Sequence, residues 1–156
     1  MDSLREHQYT LHDLMPLILE TLDTGHSVHF SPMGTSMLPM LRQGIDRVTL
    51  SPLPEKLCKY DLPLYQRDNG QYVLHRIIQT GETYTCMGDN QFWKESGLRH
   101  DQMIAIVTAF YRGKKQYDVH SPVYLLYCRF WHYSRPIRRI WRGSINFLRR
   151  HLKDIP

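Results

Sequence analysis

Leu11, Leu14, Met15, Ile18 and Leu22 recur at the three- and four-residue intervals that bring side chains to one helix face, with Asp13 and Glu20 off that face and Gly25 beyond it. The spacing predicts an opening helix over about residues 10–24. From Ser27 the rhythm shortens. Ser27–Ser31, Arg47–Leu50, Leu62–Arg67, Gln71–Gln79, Glu82–Met87 and Met103–Tyr111 are β-prone runs, parted by Gly, Pro, Asp and Asn. They predict a mainly β, mostly antiparallel body with flanking helices. Asp68-Asn69-Gly70, between the alternating segments that end at Tyr65 and begin at Tyr72, supplies the positive φ angles of a tight hairpin. Gly113-Lys114-Lys115 reads as a second turn, and a helical tail follows from near Pro122, interrupted at Pro136. No internal repeat is found.

At 156 residues the chain has the length of one domain with an appended element, here a body over residues 1–120 and a tail over 121–156. Its 42% hydrophobic and 22% charged residues are those of a protein that buries a real core. Cys58, Cys86 and Cys128 are odd in number and far apart, which argues against a disulfide framework and provides no metal-ligand pair. No metal or cofactor is expected, and a reducing compartment is favoured. The longest early apolar run, Leu14 to Leu19, is broken by Pro16, and no stretch reaches the roughly 18 apolar residues of a membrane-spanning helix. A cytoplasmic protein, soluble or peripheral at the inner face of the membrane, is the expectation.

Charge sharpens this division. Residues 121–156 carry eight Lys or Arg against one acid, a net +7, so the whole chain's +5 leaves −2 for residues 1–120. The tail interleaves these cations with aromatic and aliphatic side chains. On a helix from residue 137, Ile137, Ile140, Trp141, Ile145 and Leu148 approximate one face, with Arg138, Arg139, Arg142, Arg149 and Arg150 largely off it. Such a helix can lie in an anionic membrane interface, or pack on its own body or a partner. Nucleic-acid binding is disfavoured, because the body has no reading motif and is net negative.

Three short segments carry candidate chemistry: Gly34-Thr35-Ser36-Met37-Leu38-Pro39, Leu74-His75-Arg76-Ile77 and Gly88-Asp89-Asn90. A serine hydroxyl hardly ionises near neutral pH, so as a nucleophile it needs a neighbouring base, and donors for the oxyanion that its attack creates. Histidine is the side chain best suited to that basic role. Ser36 lies in a Gly-containing turn after a strand, stiffened by Pro32 and Pro39; its structural alternative is a helix N-cap. His75 alternates with Val73 and Ile77, toward a core or a cleft. A buried, hydrogen-bonded core histidine is the alternative.

Taken in order, these segments resemble the signal peptidase I superfamily, similar in its core to self-cleaving repressors of the LexA type. Ser36-Met37-Leu38-Pro39 matches the nucleophile box, and the resemblance runs from about Phe30 to Phe110. Bacterial membrane-anchored members and the LexA type use Lys as base. Archaeal and endoplasmic-reticulum signal peptidases use His followed by Arg, which His75-Arg76 matches. In that branch an acid shortly after Gly-Asp-Asn completes the set. An ungapped count places it at Glu95, with Asp89 and Asp101 as rivals. Glu95 reads equally as a surface charge beside Lys94, and Asp89 as a turn residue capping its own backbone.

The chain departs from the bacterial pattern two positions before the nucleophile, where Gly34 replaces a hydroxyl residue, so oxyanion binding would rest on the Ser36 N–H and the adjacent Thr35 hydroxyl. No membrane anchor of the kind that begins the bacterial secretory members is expected from its opening residues. The resemblance implies a serine endopeptidase that binds an extended peptide or protein substrate along a strand edge. The competing reading is a non-catalytic peptide-binding or regulatory module that keeps the fold. Self-cleavage of a repressor type is disfavoured because no DNA-binding domain precedes the body.

Overall fold

The computed structural model describes residues 11–151, with side chains up to residue 144. The opening helix α1 spans Leu11–Asp23 and buries Met15, Ile18 and Leu22. Its end is closed by Gly25 at φ +81°. There the His26 N–H bonds to the Thr21 carbonyl at 3.2 Å and the Gly25 N–H to the Leu22 carbonyl at 2.9 Å. This paired closure needs the left-handed backbone that glycine adopts without a Cβ clash.

Nine strands follow among the described residues: β1 Val28–Phe30, β2 Arg47–Pro52, β3 Pro63–Gln66, β4 Tyr72–Leu74, β5 Arg76–Gln79, β6 Tyr84–Met87, β7 Glu95–Leu98, β8 Met103–Arg112 and β9 Lys115–Asp118. All described pairings are antiparallel. The larger sheet runs β1-β2-β8-β3-β4, with β9 also on β8, and the smaller runs β5-β6-β7. The mainly β, antiparallel body with flanking helices is therefore observed. One core cluster joins α1 and the larger sheet through Met15, Leu50, Leu64 and Val107. The other gathers Tyr65 and Met103 with Ile77, Cys86 and Leu98 of the smaller sheet.

The hairpin between β3 and β4 forms as its sequence dictates, with the Gly70 N–H bonded to the Arg67 carbonyl at 2.8 Å. Only Gly70 of the Asp-Asn-Gly run takes a positive φ, +84°. The expected single strand over Gln71–Gln79 is instead two strands, because the chain leaves the larger sheet after Leu74 and enters the smaller one at Arg76. His75 occupies the crossing. β7 and β9 were not foreseen: β7 is short and bent by Gly97 at φ +78°, and β9 is the return arm of the turn at Gly113.

The tail forms α2, Pro122–Tyr133, and α3, Arg135–His151. Ser121 caps α2 by accepting from the Tyr124 N–H at 3.3 Å, and Pro122 sits in the first turn, where its missing N–H costs nothing. The interruption expected at Pro136 falls at Ser134. Hydrogen bonds from the Ser134 N–H to Phe130 and from the Arg138 N–H to Ser134 carry the helical backbone nearly without a break. The expected positions Ile145, Leu148, Arg149 and Arg150 fall outside the described side chains. No helix among the described residues is long and apolar enough to cross a membrane.

Candidate active site

His75, at the crossing between sheets, is 2% exposed and takes its partners from both. Its Nδ1 lies 3.2 Å from Glu95 Oε1 on β7 and 3.2 Å from the Tyr65 hydroxyl on β3. Tyr65 also hydrogen-bonds the Glu95 carboxylate. Arg67, just past β3, binds both Glu95 oxygens: Nε to Oε2 at 2.8 Å and Nη2 to Oε1. A fork of two parallel N–H donors fixes a carboxylate in orientation as well as position. Burial works to raise the Glu95 pKa, but the hydrogen bonds from Arg67 and Tyr65 and the nearby positive charge outweigh it and hold it below the usual range.

An ionised Glu95 at Nδ1 selects the tautomer in which Nδ1 carries the proton, leaving Nε2 with its lone pair. Burial lowers the His75 pKa to about 4; Glu95 opposes that shift, and the Arg67 charge adds to it. The imidazole is therefore neutral, and able to accept a proton, across the whole physiological range.

Ser36 is half-buried in a turn over residues 34–40 entered through Gly34 at φ +94°. No α-helix follows, so the N-cap alternative is not realised. Met37, Met40 and Leu41 anchor the turn in the core, and its exit is clamped by Asp46, 0% exposed, which accepts from the Arg42 backbone N–H at 2.9 Å and from its guanidinium. Gly88-Asp89-Asn90 braces the other side. The Asn90 N–H donates to the Ser36 carbonyl at 2.8 Å, and Asn90 Nδ2 to the Thr35 carbonyl at 3.0 Å. A Cβ on Gly88 would stand 2.7 Å from the Ser36 carbonyl oxygen, so only glycine permits this approach.

Ser36 and His75 line one cleft of about 710 Å³. Gly34, Thr35, Arg67 and Asn90 also line it. Among the described residues neither the Ser36 hydroxyl nor its backbone N–H has a hydrogen-bond partner, and His75 Nε2 has none. The alcohol and imidazole share a space but are not bonded to each other. The cleft is walled by residues of β1 and β4, two of the edge strands of the larger sheet, with Leu11 and Leu14 of α1 and the exposed Trp93 also lining it. Each of these strands pairs on one side only, so each keeps unpaired backbone groups along its other edge.

Of the three acids weighed as third member, Glu95 alone reaches His75. Asp89 is 1% exposed and turned into the core, where Arg76 grips it at 2.8 and 2.7 Å. It neither joins His75 nor caps its own backbone. The same guanidinium bonds the Tyr124 hydroxyl at 2.6 Å and Cys128 Sγ at 2.9 Å, which ties α2 to the body. Asp101 is exposed and pairs with Arg99 at 3.1 Å. Tyr65 and Arg67 were missed at the sequence level. Their signal was the hairpin register: Tyr65 pairs Val73, and alternation puts Tyr65, Arg67, Val73 and His75 on one face.

The three cysteines are free thiols, and no group of three potential metal ligands occurs among the described residues. Comparison of the chain with protein-family models, with curated proteins and with solved structures finds no match.

Proposed function

We propose that the chain is a serine endopeptidase of the signal-peptidase-like type, with Ser36 as nucleophile, His75 as general base and Glu95 as the acid that orients it. The reading is carried by one observation: an imidazole whose Nδ1 is occupied by a clamped carboxylate and whose Nε2 is free lines the same cleft as a serine held in a braced turn. That is the arrangement by which nucleophile, base and orienting acid divide the work on unrelated folds.

In this reading a substrate peptide lies extended between the edges of β1 and β4, adding main-chain hydrogen bonds to unpaired strand groups. Apolar wall residues such as Leu14, Phe30 and Val73 meet its side chains. The Ser36 oxygen attacks the scissile carbonyl while His75 Nε2 takes its proton, and Glu95 stabilises the imidazolium. The unpartnered Ser36 N–H, with the Thr35 hydroxyl, receives the oxyanion. Collapse passes the proton to the leaving amine and leaves an acyl ester on Ser36. Water, deprotonated by His75, then releases the acid and restores the serine. The base and nucleophile come into bonding reach as substrate fills the cleft, since catalytic hydrogen bonds commonly tighten in the substrate complex. Three free thiols suit a reducing, cytoplasmic setting.

The absence of a Ser36–His75 bond favours a second reading, a peptide-binding module that retains the fold without hydrolysis. A serine-directed fluorophosphonate distinguishes the two. Labelling of the wild type that disappears in Ser36→Ala and falls by roughly 10²–10⁴-fold in rate in His75→Ala is the expected result. Equal labelling of all three proteins, or none of any, removes the enzyme reading.

A further inference from the structure

Helix α3 meets the body through polar side chains, whereas α2 buries Tyr124 and Cys128 against it. Arg138 stacks on the Trp131 ring at 3.7 Å and bonds the Asp89 carbonyl at 3.3 Å, and Arg142 bonds the Asn90 carbonyl at 3.2 Å. Trp131 Nε1 donates to the same Asp89 carbonyl at 2.8 Å. Arg138 and Arg142 of α3 are thus spent on the body. An apolar row is left outside on both helices: Leu126, Phe130 and Tyr133 of α2 and Ile137, Ile140 and Trp141 of α3 are each 67–72% exposed. Their three- and four-residue spacing on a nearly continuous helical backbone makes one stripe that the body leaves uncovered.

We propose that this stripe docks on an anionic lipid surface. Exposed apolar side chains in a contiguous row mark an interaction site, and charge selects the partner. The only acid within residues 121–156 is Asp154, against eight Lys or Arg, so a second copy laid on the stripe would bring like charge against like charge. Exposed Arg129 and Arg139 stand beside the stripe, where head-group phosphates would meet them. A nucleic-acid backbone would satisfy the arginines but leave the aliphatic and aromatic row in water. Lipid uses both, with Tyr133 and Trp141 suited to the boundary between acyl chains and head groups. This inference stands apart from the hydrolase reading.

The full chain is sedimented with vesicles of phosphatidylglycerol and phosphatidylcholine, and with vesicles of phosphatidylcholine alone. Binding to the anionic vesicles that weakens with salt is expected. The double variant Ile140→Glu/Trp141→Glu loses at least about tenfold in partitioning, and Arg139→Glu loses less. The thermal midpoints of both variants stay at the wild-type value, since these side chains are exposed. Failure of the wild type to sediment with anionic vesicles overturns the proposal. So does lipid-independent self-association in analytical ultracentrifugation that the double variant abolishes, which would assign the stripe to a second copy.

Discussion

Glu95 Oε1 lies 3.2 Å from His75 Nδ1 although β6 runs between the strands that carry or follow these residues. The contact is possible because His75 stands where the chain passes from one sheet to the other, so its ring shares a face with Tyr65 of the larger sheet while reaching β7 of the smaller. Arg67 and Tyr65, from the β3 side, complete the enclosure of the carboxylate.

Replacing Glu95 with Gln keeps the size but removes the charge, and lets an amide NH₂ face Nδ1 and select the wrong tautomer. The rate of Ser36 labelling by a fluorophosphonate should fall by roughly 10²–10⁴-fold. Asp101→Asn, at an exposed pair far from this role, should label at the wild-type rate. A Glu95→Gln protein that labels normally would dismiss Glu95 as the orienting acid.

The pH dependence follows from burial of the imidazole. Free histidine titrates near pH 6.5, whereas His75 in the folded chain titrates at about 4. Between those values the unfolded chain holds the extra proton, so folding stability is complete above pH 6.5 and is lost as pH falls toward 4. The loss attributable to this one group is about 3 kcal/mol. Glu95, also lowered, shifts stability in the same direction. Urea midpoints measured from pH 7 to pH 4 should decline more steeply for the wild type than for His75→Gln. Labelling should persist to lower pH than a free imidazole would permit. Parallel stability curves for the two proteins would contradict this account.

Gly88→Ala tests the brace behind the nucleophile. The added methyl meets the Ser36 carbonyl at 2.7 Å and the Gln91 side chain at 2.9 Å, and the first of these is backbone. A destabilisation of about 1–3 kcal/mol is expected, with loss of labelling as the turn is displaced. Gly81→Ala, whose methyl would find its nearest neighbour at 3.8 Å, should do neither. Matching unfolding curves for Gly88→Ala and the wild type would show that the loop yields.

The legible parts of the fold are those with a local cause. The periodicity of α1, the alternation in β2, β3 and β8, and the turn at Gly70 each express themselves within a few residues. β7 escaped because Glu95-Ser96-Gly97-Leu98 alternates poorly and owes its form to pairing with β6. Ser36 and His75 could be nominated from residue type and order, and Glu95, beside Asp89 and Asp101, from what the family resemblance implies. The clamp of Arg67 and Tyr65 on Glu95 could not, since it depends on how two sheets meet. Asp89 shows the converse. Its turn-like neighbourhood concealed a buried ion pair with Arg76, whose partner groups on α2 lie far along the chain. The outward apolar stripe was also hidden, because amphipathic spacing reveals a two-faced helix but not which face the body takes.

Asn90, which holds the Ser36 carbonyl, is itself held by Arg142, and the carbonyl of its neighbour Asp89 by Trp131 and Arg138. On the ribosome the serine turn emerges early and these clasps emerge late. A nascent chain cut short before α2 lacks them, so the proposed hydrolytic centre attains its described form only once translation has delivered the last helices.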